Sequence, residues 1–249
     1  MAKIDEELFV CIDCETTGLD LQQDRIIEVA VAVFSLSETF ETFETLIDPQ
    51  RDIPAESVAI HNITPDMVSG KPLIKSVLPE ILKIAGEYTI VGHGIGFDID
   101  LLCLAAERTN IPHQLKKNRV IDTLRMARLY GESPTNSLEQ LRKHFNIPLE
   151  GAHRAMSDVI VNIEVFRYLA KQYRSTEQII QALSSPIYLK TMPLGKHKGR
   201  LLKDIPLDYL VWAAHKDFDQ DLLFSLRTEI NRRKKGNSFT QASNPFNLL

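Results

Sequence analysis

Two acids interrupt an apolar run near the start of the chain. In Phe9-Val10-Cys11-Ile12-Asp13-Cys14-Glu15-Thr16-Thr17-Gly18, Asp13 and Glu15 stand two positions apart, and on a strand that spacing turns both side chains to the same side. Carboxylates converging beside a core repel each other and lose hydration. They require protonation, a basic partner or a metal ion, and a divalent cation answers the need most simply. An isolated Asp-x-Glu also occurs on solvated surfaces, so the other acids of the chain have to decide.

Asp98 follows the turn Gly92-His93-Gly94-Ile95-Gly96-Phe97 at the head of a helical stretch, where an acid by itself is ordinarily a cap. Asp122 reads as a cap in the same way. Glu28 lies inside a second apolar run, a setting that suits a paired acid better than a ligand. His153 and Asp158 open the last long helical pattern, five positions apart. On one continuous helix that separation is a turn of about 140°, so both reach one site only if the helix starts after His153, which Gly151 allows. The result would be a fixed acid beside a mobile imidazole.

The elements that must hold these groups follow from patterning. Leu8 to Ile12, Arg25 to Phe34 and Thr39 to Ile47 read as three strands joined by short connections, hence an antiparallel meander. The segment 49–70 reads as a loop carrying Ile60-His61-Asn62-Ile63-Thr64. Ile74, Val77, Leu78, Ile81 and Ile84 keep helical spacing, with Pro79 expected to start or kink that helix. Strands near 88–91 and 119–121 then alternate with helices from Asp98, Leu124, Ser137 and Asp158, which implies parallel crossovers and a mixed sheet covered by helices.

Composition narrows the class. The chain has 249 residues, enough for one sizeable core and a small second domain. Its charged N-terminus has no apolar signal region, and no run is long enough to span a membrane, so a cytoplasmic protein without a membrane partner is expected. Cys11, Cys14 and Cys103 suit a reducing compartment, and Cys11 and Cys14 fall on opposite faces of a strand, which rules out a shared zinc or disulfide. The net charge of −4 hides an asymmetry. From Lys190 to Lys235 there are eleven Lys or Arg against six acids, a net +5, leaving the remainder near −9. An acidic body with a basic appendage fits a metal-carboxylate site joined to a phosphate-attracting surface.

Taken jointly, Asp13-x-Glu15, Phe97-Asp98 and His153-x-x-x-x-Asp158 resemble the three signature motifs of the DEDDh (DnaQ-like) 3'-to-5' exonuclease family, of the exonuclease X and polymerase III epsilon type. The resemblance runs from about Phe9 to Tyr173 and includes Ile60-His61-Asn62-Ile63-Thr64, Val91-Gly92-His93, Asp122-Thr123 and His153-Arg154-Ala155. It implies a ribonuclease H-like α/β fold, a mixed five-stranded sheet flanked by helices. It also implies hydrolysis with two divalent ions, Mg2+ or Mn2+, held by Asp13, Glu15, Asp98 and Asp158, with His153 as general base. Oxygen-only ligands suit such hard ions. By the same analogy Thr16, Thr17, Gly18 and Leu19 line the pocket for the 3'-terminal nucleotide, with His61, His93 and Phe97 near its edge. Gly94 departs from the pattern: much of the family has Asn directly after the histidine of the second motif, so one side-chain contact to the substrate is missing.

The expected organisation is an exonuclease domain over 1–174, a connector over 175–188, a small basic domain over 189–235 and a flexible tail over 236–249. The small domain, from Met192-Pro193-Leu194-Gly195-Lys196-His197-Lys198-Gly199 onward, resembles the C-terminal domain of exonuclease X-type enzymes. Lys196, Lys198 and Arg200 on its Gly-flanked turn can contact phosphates, while Tyr209 and Trp212 read as core rather than as a base-stacking platform. Gln220-Asp221-Leu222-Leu223-Phe224 and Gln241-Ala242-Ser243-Asn244-Pro245-Phe246 both resemble sliding-clamp peptides, the first better explained as helix core and the second as a tail with a chance Phe. The expected partner is a DNA 3' end, single-stranded or frayed, in repair or proofreading, with a DNA polymerase or sliding clamp as a further partner. Two rivals remain open: an exoribonuclease of the same fold, which metal chemistry does not separate from a deoxyribonuclease, and a catalytically silent module that binds nucleic acid beside a polymerase.

Overall fold

β1 (Phe9–Thr16), β2 (Ile26–Phe34) and β3 (Thr39–Leu46) form the antiparallel meander expected from their short connections. In the computed structural model, which describes residues 3–133, 135–148 and 154–242 (236–242 by backbone alone), β2 is buried along its whole length. Its Ile-Val-Ala run needs that environment. β3 stands at the sheet edge with its alternating Thr and Glu largely exposed.

The segment read as a loop contains two short helices, α1 (Ala55–His61) and α2 (Pro65–Val68). Neither is long enough to display a helical period. Asn62, in the left-handed region at φ 59°, ends α1, and Pro65 opens α2. α3 (Ile74–Ala85) buries Val77, Leu78, Ile81 and Ile84, and Pro79 lies inside it rather than at its start. β4 (Thr89–Gly92) leads into α4 (Gly96–Thr109), and β5 (Val120–Asp122) into α5 (Thr123–Tyr130). α6 (Leu138–His144), α7 (Ala155–Ala170) and α8 (Thr176–Ala182) follow.

The sheet order is β3-β2-β1-β4-β5, with β1-β4 and β4-β5 parallel. One face of the sheet, including Val10, Ile12, Val29 and Val31, packs on Leu78, Ile81, Leu101 and Leu102 of α3 and α4. On the other face Phe9 and Phe34 meet Phe166 of α7, with ring centroids 5.0–5.7 Å apart. Alternation along β1 therefore puts Cys11, Asp13 and Glu15 on the α7 side with Phe9, and Cys14 on the α3/α4 side.

The chain divides into two compact units, Met1–Ala182 and Leu183–Leu249. The stretch read as a connector thus splits: α8 belongs to the first unit, while the Ile187 and Leu189 amides donate to Asp221 and Ser225 within the second. α9 (Leu207–Ala213) and α10 (Gln220–Ala242) build the second unit around Met192, Leu202, Leu210, Leu222 and Leu226. α10 runs into the stretch read as a tail, and residues from Ser243 lie outside the described part. Leu222 is core as expected, but Phe224 is 41% exposed. Trp212 corrects a reading: Tyr209 packs against the core, whereas Trp212 is 52% exposed, because Leu210 and Ala213 are the positions that face inward. No helix among the described residues is long and apolar enough to cross a membrane.

Candidate active site

β1 carries Asp13 and Glu15 to the end of the sheet, where a bulge between Glu15 and Thr16 interrupts its pairing with β2. α7 is locked to the same strand from below: Asn162 Nδ2 donates to Cys11 Sγ at 3.2 Å, and the Thr123 hydroxyl donates to Asn162 Oδ1. Asp158, one turn before Asn162 on α7, is thereby brought to the two strand acids. Oxygens of Asp13, Glu15 and Asp158 lie within 4.8 Å of one another, close enough to share one cation. Asp98, in the first turn of α4, reaches the strand from its other side and accepts from the Cys14 amide at 3.0 Å. It faces the cluster electrostatically without belonging to the same triad.

These carboxylates lose hydration and repel one another. Burial, then the nearby charges of Asp98, Asp158 and Glu15, push the Asp13 pKa well above the usual carboxylate range. Glu15 is pushed up to about 7 by burial and by Asp158 and Glu28, with Arg154 acting weakly against it. Burial also raises Asp98 to about 7, although the Cys14 amide opposes the shift. Protonation or a cation must satisfy such a set. An all-oxygen donor set of this size fits a hard divalent ion, which would lower all three values at once. The residues present therefore suit the metal that the motifs imply.

Glu28 serves a different purpose. It lies opposite Glu15 across the β1-β2 pair and is fully buried. Arg154 Nε donates to its two oxygens at 2.9 and 3.0 Å, Arg154 Nη2 adds a further bond, and the Ala155 amide donates at 3.1 Å. This clamp fixes the first turn of α7 and the residue directly after His153. His153 itself, the expected base, lies outside the described residues, as does Gly151. The helix does start after it, at Ala155. Sequence reasoning reached Glu28 as a paired acid but not its partner; the one available signal was that Arg154 sits inside the third motif.

The loop after β1 is organised by Asp24, which sequence reasoning missed. Its carboxylate accepts from the Thr17 hydroxyl at 2.7 Å and from the Asp20 amide at 2.9 Å. A Cβ at Gly18 would lie 2.4 Å from Asp24 Oδ2, which explains the glycine. Thr17 is fully buried with its hydroxyl committed to Asp24, so what it offers a ligand is loop shape. Thr16 is nearly buried and donates to the Gly18 carbonyl at 2.6 Å. Leu19, by contrast, is 84% exposed, an uncovered apolar side chain beside the carboxylates' loop.

The three remaining pocket candidates sit deeper. His61 is buried, its Nδ1 accepts from the Ile63 amide at 3.0 Å, and burial lowers its pKa. His93 Nδ1 is 3.1 Å from the Thr123 hydroxyl, and burial lowers its pKa to about 4, so the ring is neutral. Phe97 packs partly buried against the core. Asp122 caps α5 through the Leu124 amide as expected and also accepts from the Gly94 amide, both at 2.9 Å. With φ 71°, Gly94 occupies a conformation that a side chain disfavours.

A family model described as "Exonuclease" matches residues 10–166, the segment that carries all four acids. The chain belongs to the exonuclease family. Within this family it is DnaQ-like: it is 32% identical over 198 residues to "DNA polymerase III PolC-type" of Clostridium perfringens, covering 76% of this chain and 13% of that protein. It is 25% identical over 232 residues to "3'-5' exonuclease DinG" of Staphylococcus epidermidis, covering 93% of this chain and 25% of that one. The chain thus spans a quarter or less of the length of these relatives. Among solved structures, "Exonuclease X in complex with 5' overhanging duplex DNA" superposes with a TM-score of 0.56 at 25% identity, over 71% of this chain and 99% of that one. Exonuclease I from E. coli, in complex with a dT13 oligonucleotide, shares the fold with a TM-score of 0.61 at 21% identity, over 67% of this chain and 41% of that one. A second family model, described as "Putative quorum-sensing-regulated virulence factor", matches residues 180–230.

Proposed function

We propose that this exonuclease is a metal-dependent 3'-to-5' exodeoxyribonuclease that removes nucleotides from DNA 3' ends during repair or proofreading. The observation that carries the reading is the convergence of Asp13, Glu15 and Asp158 within 4.8 Å, where desolvation and mutual repulsion raise the pKa values of Asp13 and Glu15. The ligand set is Asp13, Glu15, Asp98 and Asp158, and two Mg2+ or Mn2+ ions bound there would supply Lewis-acid stabilisation of the attacking and leaving oxygens.

The chain's own groups do the rest. His153 accepts a proton from the attacking water, for which an imidazole of ordinary pKa near 6.5 is suited at neutral pH. The new bond joins the water oxygen to phosphorus, the bond from phosphorus to the 3'-oxygen breaks, and that oxygen takes up a proton. Glu28 and Arg154 hold the start of α7, the helix that carries Asp158. Leu19, 84% exposed, offers an apolar wedge for the terminal base, with Thr16, Thr17, Gly18, His61, His93 and Phe97 as the further pocket residues. DNA as the substrate is supported by the named ligand of the exonuclease X structure and by the polymerase to which the PolC-type relatives belong.

The test is a time course on 5'-labelled single-stranded DNA and the matching RNA with Mg2+ or Mn2+. Stepwise shortening of DNA from its 3' end, abolished by a chelator and in His153→Ala protein, is the expected result. Shortening of RNA alone would transfer the activity to the exoribonuclease rival.

A further inference from the structure

In the second unit a row of cations and aromatic rings crosses one surface. Thr191 and Leu201 form an antiparallel bridge, and the Met192 and Gly199 amides close the hairpin onto the Arg200 and Met192 carbonyls at 2.9 and 2.8 Å. Its tip carries Lys196 and Lys198, both exposed. Gly195, at φ 71°, lets the tip close on α9, since a Cβ there would lie 3.3 Å from the Tyr209 hydroxyl. From the tip the contacts continue without a break. Arg200 Nη1 is 3.3 Å from His197 Nδ1, His197 stands edge-on to Tyr209 at 4.4 Å, Tyr209 meets Trp212 at 5.2 Å, and Lys216 Nζ lies 4.8 Å from the Trp212 ring centre.

We propose that this row binds single-stranded nucleic acid, with a base stacked on Trp212 and backbone phosphates held by Lys196, Lys198 and Lys216.

Three features favour a strand over other partners. Trp212 is the chain's one tryptophan and is 52% exposed, so its indole leaves apolar surface open that a buried Trp would remove from water. A flat ring bordered by cations is the arrangement that holds a base and its neighbouring phosphates together, and it tolerates any sequence. The charge is also available where it is needed. Arg232 and Arg233 are spent on Glu229, whereas Lys196 and Lys198 project from the tip and Lys216 rests on the indole by a flexible stem that can turn to a phosphate. An acidic polypeptide would satisfy the lysines and leave the indole bare. The site lies wholly within the second unit and stands independently of the catalytic reading.

The experiment uses the full chain in EDTA with a closed circle of single-stranded DNA, which has no 3' end for the carboxylate site. Because Trp212 is the lone tryptophan, its emission reports the site directly. Saturable quenching of that emission by the circle is expected. In a labelled-circle anisotropy titration Trp212→Ala weakens binding about tenfold and Trp212→Phe by less, as loss and partial retention of one stacked base require. Lys196→Gln with Lys198→Gln lowers the salt slope by about 1.4 for two lost phosphate contacts. Emission unchanged when the circle saturates the protein, or wild-type affinity in Trp212→Ala, overturns the proposal. Equal quenching by poly-glutamate does so too, by pointing to an acidic protein instead.

Discussion

The carboxylate cluster of the first unit and Glu229 of the second are set in opposite surroundings. In the first, Asp13, Glu15 and Asp158 crowd within 4.8 Å, and Arg154, whose charge acts weakly on Glu15, is engaged by Glu28. In the second, buried Glu229 is held by Arg232 Nε and Nη2, both at 2.8 Å, and by Arg233 Nε at 2.7 Å, and these partners lower its pKa to about 2. Where an acid serves the fold, the chain supplies its counter-charge. Where acids crowd on one another instead, a divalent cation can satisfy them together, and the metal-free protein bears their mutual repulsion.

The most severe way to break the contrast is Asp13→Asn. Removal of an outer-shell partner typically costs 10–100-fold in activity, so loss of a ligand itself should lower the exonuclease rate by more than about 100-fold. The same change relieves repulsion, so the melting temperature in EDTA should rise. A rate within tenfold of wild type would show that this cluster is not the catalytic one. Arg154→Ala tests Glu28, the paired acid opposite Glu15. It leaves Glu28 buried without its partner, and urea unfolding should show a loss of about 3 kcal/mol, the low end for a broken buried pair because the Arg154 side chain is 38% exposed. Partial recovery in Arg154→Lys would identify charge as the cause.

The pH dependences should have opposite signs. Acids with raised pKa values bind protons more tightly folded than unfolded, so the first unit's cluster supports the fold at low pH and withdraws that support as the pH climbs toward about 7. Mg2+ should restore it. At pH 8 and about 100 times its Kd, Mg2+ should raise the melting temperature by about 5 °C, shrinking toward zero near pH 5.5 where the ligands hold protons. Glu229, with a lowered pKa, contributes stability above its ordinary 4.5 and loses it as the pH falls toward about 2. The smallest effect is expected from Glu229→Gln, about 2 kcal/mol for exchanging charged hydrogen bonds for neutral ones. If that variant is as stable at pH 7 as the wild type, the paired acid is not structural and the contrast fails.

Much of this architecture was legible in the chain because it rests on local periodicity. The two-residue repeat of β1 fixes that Asp13 and Glu15 share a face and that Cys11 and Cys14 do not. Short connections dictate the β1-β2-β3 meander, and it was the resemblance to the exonuclease motifs that joined Asp98 and Asp158, both at helix starts, to the strand acids. What one sequence period does not carry is which long-range neighbour satisfies a buried polar group. The pairing of Glu28 with Arg154 spans 126 positions and that of Cys11 with Asn162 spans 151. Asp24 gave no signal in the sequence, and its role is seen only where the folded loop closes it against Thr17 and Gly18. Exposure of Trp212 was decided by which stripe of α9 met α10, a choice between adjacent positions on a seven-residue helix that its short pattern could not make. The residue types determined the chemistry and the strand faces; tertiary packing alone decided which charges found partners, because pairing depends on distance in space, and local periodicity holds no record of that distance.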